Sequence, residues 1–267
     1  MLSTLGRAAR VLDLFTLDAP EWGATAVASE LQIAKSQAHE LLVSLAGGGL
    51  LQRVGAGRYR LGWRIVALNS VLVETSDLLR LVAPEMQALV GRYGETVHVA
   101  VWQARPICIG ARSGQLGTSI PPFKVGEGLP AESTALGKVL LAGRPRDEIE
   151  QFLSGTDAAA MPDRTTLNAE DLHVGLGQVA AQGFAYEEQE HRRGACSVAA
   201  PIINQATGVF ASIGMSVPHD RWRRGQLAYR RGVVMAAENL ARRSVPTLRG
   251  EVGEGGRSRD GRCLEPR

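Results

Sequence analysis

Apolar residues near the start of the chain recur with helical spacing in three short segments. Residues 5–17 form the first stripe, and AVASELQ repeats the spacing over a shorter length, with Thr25 placed to cap it. The third segment, IAKSQAHELLVSL at 33–45, has a polar start, continues into three leucines and stops at three glycines, 47–49. The pattern predicts three consecutive helices.

Two short β-like runs follow these helices. LLQRV and RYRLG flank a glycine-containing turn, which is typical of a hairpin. Three short helices and a small hairpin are the order of a winged helix-turn-helix domain, whose third helix enters the major groove of DNA. We therefore predict a DNA-binding domain at residues 1–61, with Lys35 at the start of the third helix and three arginines on the hairpin, Arg53, Arg58 and Arg60. Merely solvated side chains remain the alternative interpretation of these cations.

The remainder of the chain predicts a linker and a second domain. A helix with a break near Pro84 comes next, and residues 62–80 are assigned as a helical linker. Beyond it, continuously apolar or alternating β-branched runs predict strands, which interleave with helices up to a long terminal helix. This order predicts an α+β domain at 81–245, with helices covering a sheet. The segment 246–267, rich in glycine and charge, predicts disorder.

Composition narrows the class of protein. The chain has 267 residues, 45% of them hydrophobic and 21% charged, as in ordinary globular proteins. The net charge of +3 gives only weak support for a nucleic-acid partner. Three cysteines without a CxxC spacing argue against a disulfide framework or a zinc site, and indicate the cytoplasm. No run of about 18 apolar residues occurs, so we expect no membrane span.

Several motifs, in order along about residues 4–243, resemble the IclR-type bacterial transcriptional regulators. They are AKSQAHELLVSL and GRYRLG, followed by TVHVAV, GLPAESTALGKVLLA, GFAYEEQEHRRGACSVAAPI and GMSVP. The resemblance implies a winged helix-turn-helix domain that a helical linker joins to a GAF/PAS-like effector-binding domain. It also implies binding to double-stranded operator DNA and modulation by a small, often carboxylated or aromatic metabolite. We predict no cofactor and no metal.

The resemblance carries the DNA-binding positions over to the start of the third helix and to the wing. These positions are Lys35, Ser36, Gln37, His39, Glu40, Arg58 and Arg60. Lys35 and Ser36 suit phosphates, and Gln37 can bond to an adenine edge. Glu40 departs from the family pattern, which usually has arginine there. Its carboxylate would repel phosphates, although it can accept from the cytosine amino group or cap its own helix.

The effector site is predicted around VGEGLPAESTALGKVLLA, where a glycine-rich loop precedes a helix at about Ser133 to Ala142. Unpaired amides at a helix start suit a carboxylate. The resemblance carries the effector-binding positions over to Ala135, Leu136, Glu187, Ser197, Gly214 and Ser216. Ser197 replaces the cysteine usual in the family, and Glu187 replaces a shorter aspartate, so the ligand cannot be copied from a relative.

Two other interpretations compete with a ligand-responsive DNA-binding regulator. One is a metabolite-sensing module with weakened DNA binding that acts through protein contacts, and Glu40 motivates it. The other is a hydrolase that uses Ser197 or Cys196, but no base can be assigned to Ser197, so we predict no catalytic residues. Lys138, in LGKVLLA, is interpreted as a surface or interdomain lysine because the GxxxxGK[ST] pattern is absent.

We expect an oligomer, because reading two half-sites needs two winged domains in symmetric register. The resemblance implies a homodimer or a homotetramer. The first helix and the connector are the expected dimer surfaces. Their apolar candidates are Leu5, Val11, Leu12, Val66 and Leu68.

Overall fold

The structure of the protein is a computed structural model that describes residues 4–103, 105–112, 123–155, 169–204 and 208–243. The chain divides into two compact units, Met1–Ser76 and Asp77–Arg267. The division falls within the segment assigned above as the linker. The tail at 246–267, predicted to be disordered, lies outside the described residues.

The front unit has the predicted order of three helices followed by a hairpin. Its elements are α1 (Thr4–Asp13), β1 (Trp22–Gly23), α2 (Ala24–Leu31), α3 (Lys35–Gly47), β2 (Leu51–Gly55) and β3 (Arg58–Leu61). In its sheet β3 lies between β1 and β2, antiparallel to both. The turn between β2 and β3 needs positive φ angles, of 98° at Gly55 and 72° at Gly57, which glycine adopts without strain. The predicted winged helix-turn-helix fold is confirmed.

The apolar stripes of the three front helices meet in one core. It contains Val11, Val27, Leu31, Ala38, Leu41, Leu42, Leu45, Leu51 and Tyr59. Val11 is fully buried there, so its assignment to a dimer surface was wrong. The predicted cap at Thr25 was also wrong: α2 begins at Ala24, two residues before the predicted start, and no side chain caps it.

Two helices follow the wing, α4 (Arg64–Thr75) and α5 (Asp77–Tyr93). The break between them is at Ser76, which has extended backbone angles, and not near Pro84 as predicted. Pro84 lies inside α5, where its ring removes one helical hydrogen bond. Val82 and Met86 are buried on either side of it, and this packing holds the helix together across the proline.

The rest of the rear unit is an antiparallel sheet with helices on both faces. Its elements are β4 (Thr96–Gln103), β5 (Arg105–Arg112), α6 (Ala135–Ala142), α7 (Arg146–Gly155), α8 (Ala169–Gln182), β6 (Ala185–Glu188), β7 (Ala195–Asn204), β8 (Gly208–Pro218) and α9 (His219–Arg243). The strand order is β5-β4-β8-β7-β6. The predicted α+β class is confirmed.

Alternation along β8 separates the two faces of this sheet. Ile213 and Met215 belong to the large core that the sheet forms with α5 and α9. Gly214 faces the other way, toward α6, where a Cβ atom would lie 3.1 Å from Leu136 Cδ2 and 2.9 Å from the Val198 carbonyl oxygen. A glycine there lets α6 approach the sheet closely, and the candidate effector site lies at this junction.

Candidate functional site

The start of α3 presents a polar surface in the front unit. Lys35, Ser36, Gln37, His39 and Glu40 are all exposed, whereas Ala38, Leu41, Leu42 and Leu45 of the same helix are buried. The predicted DNA-reading residues therefore share one accessible surface. Val43 and Ser44 continue it at helical spacing, and we call Ser36, Gln37, Glu40, Val43 and Ser44 the α3 face. Val43 is a member that the sequence reasoning missed, although its spacing from Glu40 could have revealed it.

Of the three predicted hairpin arginines, Arg53 lies on β2, whereas Arg58 and Arg60 lie on β3 and make exposed contacts within the front unit. Arg58 donates to the Glu21 carbonyl oxygen at 3.3 Å and lies 3.3 Å from the Glu21 carboxylate. Arg60 donates to the Gln52 side-chain oxygen of β2 at 3.3 Å. Exposed pairs of this kind are weak. Both guanidinium groups can therefore exchange these partners for DNA phosphates.

Two adjoining cavities lie in the rear unit between the start of α6 and strands β6–β8, with volumes of about 20 and 10 Å³. Each of the six predicted effector-binding residues lines at least one of them. Phe123, Thr134, Ser197 and Ser216 line both. The sequence reasoning missed several lining residues, among them His98, Phe123, Thr134, His191 and Arg192.

Thr134 caps the helix that points into these cavities. Its hydroxyl accepts from the Gly137 amide at 3.1 Å and donates to the Pro130 carbonyl oxygen at 2.6 Å. The helix therefore begins at Ala135, two residues after the predicted start. The amides of Ala135 and Leu136 are the first of α6 and have no acceptor within the helix. They form the positive end of the helix dipole at the cavity wall.

Glu187 is the buried carboxylate of the site, with 4% of its surface exposed. Its Oε1 accepts from the Glu190 amide at 2.8 Å and from the His191 amide at 3.2 Å, and its Oε2 accepts from Ser197 Oγ at 2.8 Å. Burial raises the pKa of Glu187, and these three hydrogen bonds oppose that rise. The carboxylate is thus held firmly between the 188–194 turn and β7.

Lys138 connects α6 to the same turn. Its ammonium group pairs with the Glu190 carboxylate and donates to the Tyr186 carbonyl oxygen at 3.2 Å. Lys138 was interpreted as a surface or interdomain lysine; only 16% of its side chain is exposed, so the first of these alternatives was wrong. The Lys138–Glu190 pair holds the turn in place, and backbone amides of that turn orient the Glu187 carboxylate.

His98 forms the opposite wall. Its Nε2 accepts from the Phe123 amide at 3.1 Å, and its Nδ1 lies 3.5 Å from Ser216 Oγ. Burial, aided by the positive charge of Arg192, lowers the pKa of His98 to about 4, so the ring is neutral near pH 7. Because Nε2 accepts, the single ring proton is on Nδ1 and is donated to Ser216. Arg192 lies 5.2 Å from the centre of the Phe123 ring.

A winged helix-turn-helix unit and an α+β unit with small internal cavities, in one chain, define a ligand-responsive regulator of transcription. The chain belongs to the IclR family. The model of the IclR helix-turn-helix domain matches residues 4–55, and the model of the bacterial transcriptional regulator IclR C-terminal domain matches residues 70–242. The HTH-type transcriptional regulator XynR of Escherichia coli K12 is 30% identical over 230 residues, covering 85% of this chain and 91% of XynR.

Solved structures agree with this assignment. An IclR transcriptional regulator from Alicyclobacillus acidocaldarius has the same fold, with a TM-score of 0.76 and 21% identity over 91% of this chain and 98% of that one. An IclR homologue from Microbacterium hydrocarbonoxydans, solved with 4-hydroxybenzoate, gives a TM-score of 0.69 and 25% identity over 91% and 100% of the two chains. In the described ranges, none of the helices combines the length and apolar character needed to cross a membrane.

Proposed function

We propose that this regulator reads operator DNA with the α3 face and the wing, and that a small organic acid in the rear cavities modulates the binding. The observation that carries the proposal is the division of α3, whose first polar side chains are exposed while its leucines are buried. A helix with that division can lie in the major groove without loss of its own core.

Each of the five predicted DNA-binding residues of α3 has a role that its chemistry suits. Lys35 and Ser36 contact phosphates, and Gln37 bonds to an adenine edge. His39 bonds to a phosphate or a base. Glu40 accepts from a cytosine amino group, which is the usual base-edge contact of a carboxylate. On the wing, Arg58 and Arg60 contact phosphates.

The effector is an acid whose carboxylate binds the first two amides of α6, at Ala135 and Leu136, and the Ser216 hydroxyl. Three donors at one end of a buried space favour an anion there. Glu187, Ser197 and Gly214 contact the rest of the molecule. The 4-hydroxybenzoate in the relative from Microbacterium supports an aromatic acid as the kind of ligand.

The active form is a homo-oligomer, a dimer or a tetramer, that works in the cytoplasm where its operator is. Exposed apolar side chains on α1 and α4 support this assembly. The largest are Leu5, Trp63, Val66, Leu68, Val71 and Leu72, of which Trp63 directly precedes α4. Apolar surface of this extent is covered by a partner in most proteins.

Arg58→Ala is expected to weaken binding to all DNA alike, because it removes a phosphate contact. In gel-shift titrations with the DNA upstream of its own gene, the slope of log affinity against log salt should fall by about 1. Gln37→Ala should instead relax the preference at one base pair and leave the slope unchanged. Affinities equal to that of the wild type for both variants would show that α3 and the wing are not docked as proposed.

Phe123→Ala is expected to bind benzoate at least ~10-fold more tightly than the wild type does. The two cavities are far smaller than an organic acid needs, and Phe123 is an aromatic side chain that lines both and belongs to no helix or strand. Its ring must therefore move aside before a ligand enters. Calorimetric titration measures the affinity for benzoate. Phe152→Ala is the matched control, because Phe152 is an aromatic residue that packs on Trp102 and lines neither cavity. Equal affinities in Phe123→Ala and the control would contradict this role of Phe123.

A further inference from the structure

Ser197 lies at the junction of the two cavities and lines both of them. Its hydroxyl is 2.8 Å from Glu187 Oε2, while Oε1 of the same carboxylate accepts from two backbone amides. Three donors converge on this carboxylate, and such hydrogen bonds favour its ionised form. An ionised carboxylate has no proton to give, so the hydrogen bond runs from the Ser197 hydroxyl to Glu187. The proton of Ser197 is therefore directed away from the cavities.

This arrangement gives the cavity walls a defined polarity. A hydroxyl has one proton and two lone pairs, so Ser197 offers the cavities only an acceptor. Ser216 has the opposite character, because it accepts from His98 Nδ1 and keeps its own proton for a ligand. The Thr134 hydroxyl both donates and accepts within the protein. Donors are thus concentrated at α6 and Ser216, and an acceptor faces the ligand at Ser197.

We propose that the effector is a hydroxy acid whose hydroxyl donates to Ser197, and that Glu187 selects for this hydroxyl by holding the Ser197 proton. The proposal rests on the acid-binding function proposed above and adds the chemical class of the ligand. An acid without the hydroxyl leaves the Ser197 oxygen without a donor in a buried site. An ether oxygen at that place would face the Ser197 oxygen, and the contact of two acceptors would lower the affinity further.

Calorimetric titration of the full chain with matched acids tests this selection. One set is 4-hydroxybenzoate, 4-methoxybenzoate and benzoate, and an aliphatic set is glycolate, methoxyacetate and acetate. In at least one set, the wild type should bind the hydroxy acid about tenfold or more tightly than the methoxy acid. This comparison needs no variant, so it does not depend on how any substitution folds.

Glu187→Gln should reverse the preference. The glutamine oxygen can keep the two backbone amides, and its NH2 group then faces Ser197 and donates to it. Ser197 would then turn its own proton into the cavity and favour the methoxy acid. The ratio of the two affinities should shift by about tenfold or more toward the methoxy acid.

Glu188→Gln is the matched control, because the same chemical change is made one residue further along β6. Glu188 lines neither cavity and accepts instead from Trp222 Nε1 and Gln226 Nε2, both at 3.0 Å. It should keep the wild-type preference. Equal binding of hydroxy and methoxy acids by the wild type, or a retained hydroxy preference in Glu187→Gln, overturns the inference and leaves acid binding intact. If none of the six acids binds, the proposed acid-binding function fails, and the inference fails with it.

Discussion

Leu72→Glu is expected to lower the affinity for operator DNA on the order of 100-fold, the largest effect of any single change considered for this chain. Leu72 is 64% exposed on α4, and Leu68 lies one turn before it on the same side of the helix. Val71, which is also exposed, is one turn from Leu68 and widens this apolar surface. A second winged domain in the same dimer binds its half-site at a high effective concentration, and that advantage is lost when the subunits separate. At the subunit contact, the carboxylate of the Leu72→Glu variant would be buried without a partner, and this cost would separate the subunits.

Light scattering during size-exclusion chromatography measures the assembly, and gel-shift titration measures the affinity. Ser70→Glu is the matched control, since it adds the same charge to α4 beside Glu74, on the side of the helix away from Leu72. It should leave both measurements unchanged. A Leu72→Glu variant that keeps the wild-type assembly and affinity would exclude this part of α4 from the subunit contact.

Local pattern was sufficient for the order of helices and strands in the front unit, because its helices are short and each buries one stripe. The leucines of α3 and the glycine stop predicted both its length and its buried side. The errors occurred where tertiary packing outweighed a local rule. Pro84 is a helix breaker in isolation, but Val82 and Met86 bury themselves on either side of it. Val11 is an apolar residue of α1 that a single-chain pattern cannot assign to a core or to a partner.

The effector site was less accessible to sequence reasoning. Its six predicted residues came from the resemblance to a family, and periodicity alone would not have selected them. His98 and Phe123 are 25 residues apart in the chain and meet only through the packing of the sheet against a loop. The direction of each hydrogen bond, which gives Ser197 and Ser216 opposite polarities, depends on distances that no linear pattern contains. The chemistry proposed for the ligand therefore depends on the tertiary structure.

Glu40→Gln is expected to change the base that α3 prefers. Glu40 is exposed on the α3 face, one turn from Ser36 and Gln37. A carboxylate there accepts from a cytosine amino group, whereas glutamine bonds to the N6 and N7 atoms of adenine. The preferred base at that position should change from cytosine to adenine, with a discrimination of about 10- to 100-fold. Selection from a pool of operator DNA with randomised positions measures the change.

Removing a negative charge also raises the affinity for every DNA sequence, and Glu30→Gln separates this effect from base reading. Glu30 is exposed on α2, and its substitution removes the same charge from the same unit without touching the α3 face. Both variants should bind non-operator DNA more tightly, but only Glu40→Gln should alter the selected base. If both gain affinity equally and select the same sequences as the wild type, Glu40 acts only as a repulsive charge. That result would favour a sensor with weakened DNA binding over a regulator that reads cytosine with a glutamate.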